Sequence, residues 1–501
     1  MVSVLGKNVY INDRAFLDNA NVVSVDLCNV PFVGNVMHQT FYNCQNLNEV
    51  TNISNTVTNM FYTFYKCNFT KLPTIPNSVT DLRSTFASCN NLTNTNGIPY
   101  GVLRMNQTFS GCENIVITPT LPNSIKNLDS VFAYCNNLTT VPSLPNSLTY
   151  MNCTFYKCNN LTTVPSTLPN LTMANGVFAS CEKLVDVPTV PNTVTNMEWM
   201  FYNCFNIVNT PTVSSNAVWM NEAFTRCYNI KNVPALPNTI RTFEGAFSEC
   251  YNLTGNVEMN CPNCSTVYGA FSECYNLHSV NAYLPNCSNS ASFLHKCNNL
   301  TDAHLVISQS SRMNDIFNGC EKLENVYLEA NALTNGYCLF INCFSLKNVI
   351  INAPAMTSLI DGFAWCYNLV DAPSIPNNVG NMAQAFLQCY SLVNLPVLPP
   401  SITNIYQAFY GCENVTGDVY IQSENITNAY QCFNQTSLTK NVYIPFDNNG
   451  AHTTTYNSFI AAGYKTDGSV NGVYLKDINN NYVTLIVNPS PGDAIVTLVK
   501  G

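Results

Sequence analysis

The chain has 501 residues, only 10% of them charged, and a formal net charge of −9. With a pI near 5.0 it offers no basic groove, so nucleic acid and anionic lipid are excluded as partners. No run of 18 apolar residues occurs, so no membrane insertion is expected, and solubility falls to the abundant Asn, Thr and Ser.

Residues 1–35 open with two apolar-alternating runs, Val2-Ser-Val-Leu5 and Asn8-Val-Tyr-Ile11, about Gly6-Lys7. The pattern predicts a hairpin that covers the open edge of a degenerate first coil, Phe16-x-x-Asn19-x-x-Val22. No charged region followed by an apolar core and a small-residue cleavage site is visible. Export by another route, origin in a longer chain, or assembly from the cytoplasm as part of a virion are the readings this leaves.

From residue 36 to 446 one sentence repeats. Its anchor is a cysteine, at Cys44, Cys67, Cys89, Cys112, Cys135, Cys158, Cys181, Cys204, Cys227, Cys250, Cys274, Cys297, Cys320, Cys343, Cys366, Cys389 and Cys412. The spacing is 23, with single steps of 22 and 24, and a fixed period of this size marks a solenoid whose units bury their apolar side against their neighbours. Phe stands three places before the anchor, Leu three after and Val six after, as in Phe155, Cys158, Leu161 and Val164. The seventeen anchor thiols share this apolar ring, which predicts reduced, buried cysteines rather than a disulfide framework. The Thr- and Val-rich run from +3 to +6 predicts one short parallel strand per coil. A corner Pro follows, and then a second extended run such as Leu148-Thr-Tyr-Met151. Asn recurs two places after the anchor and again after the corner, where stacked amides can satisfy the backbone groups of turns.

This period resembles the BspA-type leucine-rich repeat, on matches such as Thr154-Phe155-Tyr-Lys-Cys158-Asn-Asn-Leu161-Thr-Thr-Val164, Pro76-Asn-Ser-Val79 and Pro145-Asn-Ser-Leu148. The resemblance covers about four-fifths of the chain. It implies a curved solenoid used for adhesion, found on bacterial and protozoan surfaces and in phage structural proteins. The fold expected is mainly β: a leucine-rich-repeat solenoid of about 18–19 coils with a 23-residue period, capped at both ends. Three segments follow: a cap with the degenerate coil at 1–35, the solenoid at 36–446, and a C-terminal cap at 447–501. Within the last, Thr455–Ala462 predicts a brief helix, and Val473–Ile478 with Tyr482–Val487 predicts a hairpin opening a small β module.

No phosphate loop, nucleophile elbow or catalytic carboxylate pair is present, so neither an enzyme nor a cofactor is expected. Cys261-Pro-Asn-Cys264 has zinc-like spacing but no second pair, and Cys264 and Cys287 occupy a core place of the coil. Asp477-x-Asn479-x-Asn481 begins like a calcium loop but lacks its Gly and closing Glu. His38, His278, His295, His304 and His452 fall in different phases and form no ligand pair.

The candidate binding residues lie on the surface. One place after the anchor, Phe205, Tyr228, Tyr251, Tyr275, Phe344, Tyr367 and Tyr390 predict an aromatic strip along one edge, with rings ~5 Å apart. Such rings suit sugars and protein hot spots, or else shield the coil corner by stacking on one another. Nearby strand positions, among them Lys231, His278, Asp302, Lys347 and Asp371, vary between coils over a constant core. The function expected is recognition or adhesion, with a cell-surface protein or glycan as partner. The alternative is a structural virion component, such as a tail or fibre protein, partnered by other virion proteins.

Overall fold

The computed structural model describes residues 2–3, 10–141, 143–416, 418–436, 440–444, 453–464 and 473–477. Its contacts divide the chain into two compact units, Met1–Leu253 and Thr254–Gly501.

In the first unit the coils pack Phe, Cys and most often Leu or Ile inward, with no exposed surface at Phe155, Cys158 and Leu161. Phe109, Phe132, Phe155, Phe178 and Phe201 stack in a column with centroids 5.6–5.8 Å apart. The segment leading to the anchor is a ladder of turns. Ser130, Phe132 and Tyr134 donate their N–H groups to Asn152, Thr154 and Tyr156 of the next coil at 2.9, 3.0 and 2.7 Å. Val131, Ala133 and Cys135 donate instead to the residue three places back, so every N–H of the segment is used within or between coils. The alternation requires left-handed backbone at the first and last of these places, φ 54° at Ser130 and 61° at Tyr134, and Trp199, Asn203, Glu222 and Arg226 repeat it in later coils.

In most coils extended pairing forms where no Pro interrupts the run after the anchor, although the coil of Cys89, free of Pro from Thr93 to Asn96, makes only an isolated bridge at Asn94. At the seventh place after the anchor most coils of the first unit carry Pro, including Pro119, Pro165, Pro188, Pro211 and Pro234. There the coils meet through isolated parallel bridges, such as Ile117 to Thr140 to Thr163. The longer pairing of this unit is N-terminal, where β1 (Val2–Ser3), β2 (Ser24–Asp26) and β3 (Glu49–Thr51) form a parallel sheet, the coil of Cys44 having Thr51 at the seventh place. Ile11 bridges Phe32 in parallel, and residues 4–9 of the expected N-terminal hairpin lie outside those described.

In the second unit five successive coils have Val257, Asn281, His304, Tyr327 and Ile350 at that place. They give β4 (Gly255–Asn260), β5 (Leu277–Tyr283), β6 (Asp302–Val306), β7 (Asn325–Glu329) and β8 (Asn348–Asn352), one continuous parallel sheet. Most of these strands therefore run from +5 to +9 and not from +3 to +6. The apolar Leu at +3 belongs to the preceding turn: Leu300 donates its N–H to the Cys297 carbonyl at 3.0 Å. Pro373 and Pro396 interrupt the strands again before β9 (Val419–Tyr420).

β10 (Lys440–Ile444) pairs in parallel with β9 and with β11 (Val473–Asp477). β11 thus joins the ladder, and the second arm expected of a 473–487 hairpin lies outside the described residues. The predicted helix is α1 (Thr454–Ala461), whose N-cap Thr453 accepts the Tyr456 N–H at 3.2 Å. No helix among the described residues is long and apolar enough to cross a membrane.

Candidate recognition surfaces

Three features of the sequence bear on binding: the cysteines, the aromatic strip and the variable strand face. The 24 cysteines are thiols and not disulfides, and those of the anchor column are buried. Most of them donate to the Phe carbonyl of the preceding coil, as Cys181 does to Phe155 at 3.2 Å, and Cys320 donates to the Leu294 carbonyl that stands in the Phe place. Cys261 and Cys264 are buried too, and burial pushes the Cys261 thiol up to about 12, opposite to the thiolate a metal requires. Among the described residues no three His, Cys, Asp or Glu side chains could hold a metal ion. His452, Asn479 and Asn481 lie outside them.

The aromatic rings at +1 stack face to face. In the first unit Phe205 and Tyr228 are 5.0 Å apart at 6°, and Tyr228 and Tyr251 are 4.8 Å apart at 2°. In the second unit Phe344, Tyr367 and Tyr390 repeat this at 5.0 Å. The hydroxyls of Tyr251 and Tyr275 donate to Glu249 and Glu273 at 3.1 and 2.8 Å. Partial burial, with Glu249 beside it, raises the Tyr228 phenol above its usual range. The interior rings Tyr228 and Tyr367 spend both faces on their neighbours and so offer only ring edges and hydroxyls to solvent.

The strand candidates fall into separate places. Lys231 is exposed in the first unit, while His278, Asp302, Lys347 and Asp371 are exposed in the second. Lys347 pairs with Glu324 at 3.1 Å, His278 accepts the Gly255 N–H at 3.4 Å, and Asp371 accepts from Asn394 at 2.6 Å. Asp302 belongs to a larger arrangement, because the register of β4–β8 aligns outward side chains in rows. One row is Asn256, Ser279, Asp302, Asn325 and Asn348; the next is Glu258, Asn281, His304, Tyr327 and Ile350; the third is Asn260, Tyr283, Val306, Glu329 and Asn352. Beneath them Val257, Val280, Ala303 and Val326 are buried. The β5–β8 members of the first two rows border a shallow groove of about 430 Å³. Sequence reasoning found the first row in part and missed the second, where other coils carry Pro; the missing Pro in five successive coils was the available signal.

The BspA type leucine rich repeat region matches in six copies, at residues 9–139, 62–185, 104–208, 152–278, 246–370 and 360–461. The chain belongs to the BspA-type leucine-rich repeat family. Among solved structures, this BspA-type chain is similar to a leucine-rich repeat protein from Bacteroides ovatus, at 19% identity over 83% of this chain and 92% of that one, with a TM-score of 0.45. A leucine rich cell surface protein from Faecalibacterium prausnitzii is also 19% identical, over 70% and 85% of the two chains, with a TM-score of 0.32. The pneumococcal vaccine antigen PcpA is 12% identical over 82% and 80%, with a TM-score of 0.25. No curated protein matches the sequence.

Proposed function

We propose that this BspA-type protein is a non-enzymatic adhesion protein that acts at a cell surface by binding a surface protein or glycan. The observation that carries the reading is a constant scaffold under a changing face. Anchor Phe, Cys and Leu recur in the core, while the outward row above Val257, Val280, Ala303 and Val326 passes through Asn256, Ser279, Asp302 and Asn325. Positions freed from packing in this way can diverge to fit a ligand at little cost in stability.

The test is binding of the purified chain to intact candidate cells, with a Tyr228→Ser/Tyr251→Ser variant in parallel. Saturable binding by the wild type supports the reading. Its loss in the folded variant places recognition on the aromatic strip, and its retention places it on the strand face. No binding to any cell, with co-purification of capsid or tail proteins, overturns the reading in favour of a virion part.

A further inference from the structure

The groove over β5–β8 differs from the aromatic strip in having a ring that is not closed by its neighbours. Tyr327 meets His304 edge to face, with centroids 4.6 Å apart at 87°, and its partner on the other side is Ile350, which is 61% exposed and has no ring to stack. Beside them runs a polarised amide ladder: Asn348 donates to Asn325, and Asn325 to the Asp302 carboxylate, both at 2.7 Å. Thr301 donates to the other Asp302 oxygen at 2.6 Å.

We propose that this groove binds an uncharged pyranose glycan, with Asp302, Asn325 and Asn348 taking the hydroxyls and Tyr327 with Ile350 taking the apolar face of the sugar. The proposal rests on the adhesion reading and names its ligand class. A sugar hydroxyl donates and accepts at once, so it needs neighbouring donors and acceptors in fixed positions. Each amide of the ladder, with one N–H committed, keeps a second N–H and acceptor capacity, and the ladder itself holds its orientation. Hydrogen bonds from Thr301 and Asn325 keep the Asp302 carboxyl below its ordinary range, so it is an ionised acceptor. A volume of about 430 Å³ is within the ~300–1,000 Å³ of small-ligand sites.

Charge narrows the class further. The sheet face carries Glu258, Asp302 and Glu329, and none of the residues in its three outward rows is Lys or Arg. The carboxylates are met by neutral donors: Asn281 on Glu258 at 2.8 Å and Ser308 on Glu329 at 3.1 Å. Sialylated or sulfated sugars are therefore repelled. A basic peptide is the competing occupant, but it would engage the carboxylates alone and meet the amide N–H groups as like-signed dipoles.

The experiment is binding of the full chain to immobilised neutral, sialylated and sulfated glycans and to a polylysine surface, with Tyr327→Ala and Asn325→Ala variants checked for native melting. The expected result is binding to a neutral glycan that persists in salt and weakens at least about tenfold in each variant. Its sialylated form should bind about tenfold more weakly. Preference for anionic glycans, unchanged binding in both variants, or salt-sensitive binding to polylysine alone overturns the proposal. Cell binding that survives glycosidase treatment, with no glycan bound, overturns this inference and leaves the adhesion reading standing; absence of cell binding removes both.

Discussion

The thiol of Cys158 donates to the carbonyl oxygen of Phe132 at 3.1 Å, across the seam between two coils. The same bond recurs from Cys135 to Phe109 and from Cys204 to Phe178, so the column of anchors is a column of hydrogen-bonded thiols. A buried carbonyl keeps a partner, and a small side chain fills its place without a void.

Ionisation of these thiols is suppressed in the folded chain, which predicts a steep alkaline limit to stability. Burial pushes Cys89 and Cys320 from 9.0 up to about 12. Between about pH 9 and 12 the unfolded chain loses thiol protons that the folded chain retains, so stability is full below pH 9 and falls as pH rises through that window. Each such thiol contributes about 1.4 kcal/mol of loss per pH unit. Thermal midpoints should hold from pH 7 to about 9 and drop sharply above it. In native protein near pH 8, alkylation followed by mass spectrometry should modify the exposed Cys28 first and spare the anchors until denaturant is added. A midpoint unchanged at pH 10.5, or rapid native labelling of Cys158, would contradict this account.

Phe201 lies between Phe178 and Phe224, 5.6 Å from each, with no exposed surface. Phe201→Ala removes contacts to both neighbours and leaves a cavity that flanking coils cannot close without losing their own register. The expected cost is about 3–5 kcal/mol, read from urea unfolding. Because each coil buries its face on the next, amides of adjacent coils should also lose protection in hydrogen exchange. Wild-type protection at Phe178 and Phe224 would show that the coils are less coupled than their stacking implies.

A third prediction concerns the seventh place. His304 sits in a central strand with β5 and β7 on either side, where Pro removes a donor and sets φ away from the extended value. His304→Pro should convert β6 to the bridge-like pairing of the Pro coils. Hydrogen exchange should then show faster exchange in β5–β7 while the Phe-x-x-Cys ladder of the same coils stays protected. Equal protection in both segments of the variant would separate strand length from Pro placement.

The period and the core were legible because Phe, Cys and Leu keep one phase, and side chains of that kind at fixed spacing have nowhere to go but inward. The strand boundaries were not, because Leu300 is apolar like a strand residue yet spends its N–H on the turn to Cys297. The turn ladder was hidden for another reason. Its left-handed places hold Ser130, Tyr134, Lys157 and Trp199, residue types that do not announce positive φ. The positions of the +1 rings could be read directly, but whether their faces are open depends on the angle between them. The outward row of His304, Tyr327 and Ile350 was obscured by the rule that Pro marks a corner, since it lies where that rule lapses.

The final prediction tests how the last coil is closed. The Tyr464 hydroxyl accepts the Phe433 N–H at 2.8 Å and donates to the Asn434 side-chain oxygen at 3.1 Å, with its ring buried against Phe459. Thr455 does parallel work from α1, donating to the Ser423 carbonyl at 2.6 Å and accepting the Ile426 N–H at 3.0 Å. These two side chains therefore satisfy backbone groups that a further coil would otherwise satisfy. Tyr464→Phe keeps the ring and deletes the hydroxyl, leaving the buried Phe433 N–H without its partner at a cost of about 1–3 kcal/mol. The loss should be local: limited proteolysis should cut the variant near residues 423–436 at a rate that leaves Phe201 and its neighbours untouched. Thr455→Val should behave alike, and the double variant should cost less than the sum of the two if both hold the same coil. A Tyr464→Phe protein with unchanged proteolysis and unchanged exchange at Phe433 would show that the helix closes the coil by packing of Phe459 alone.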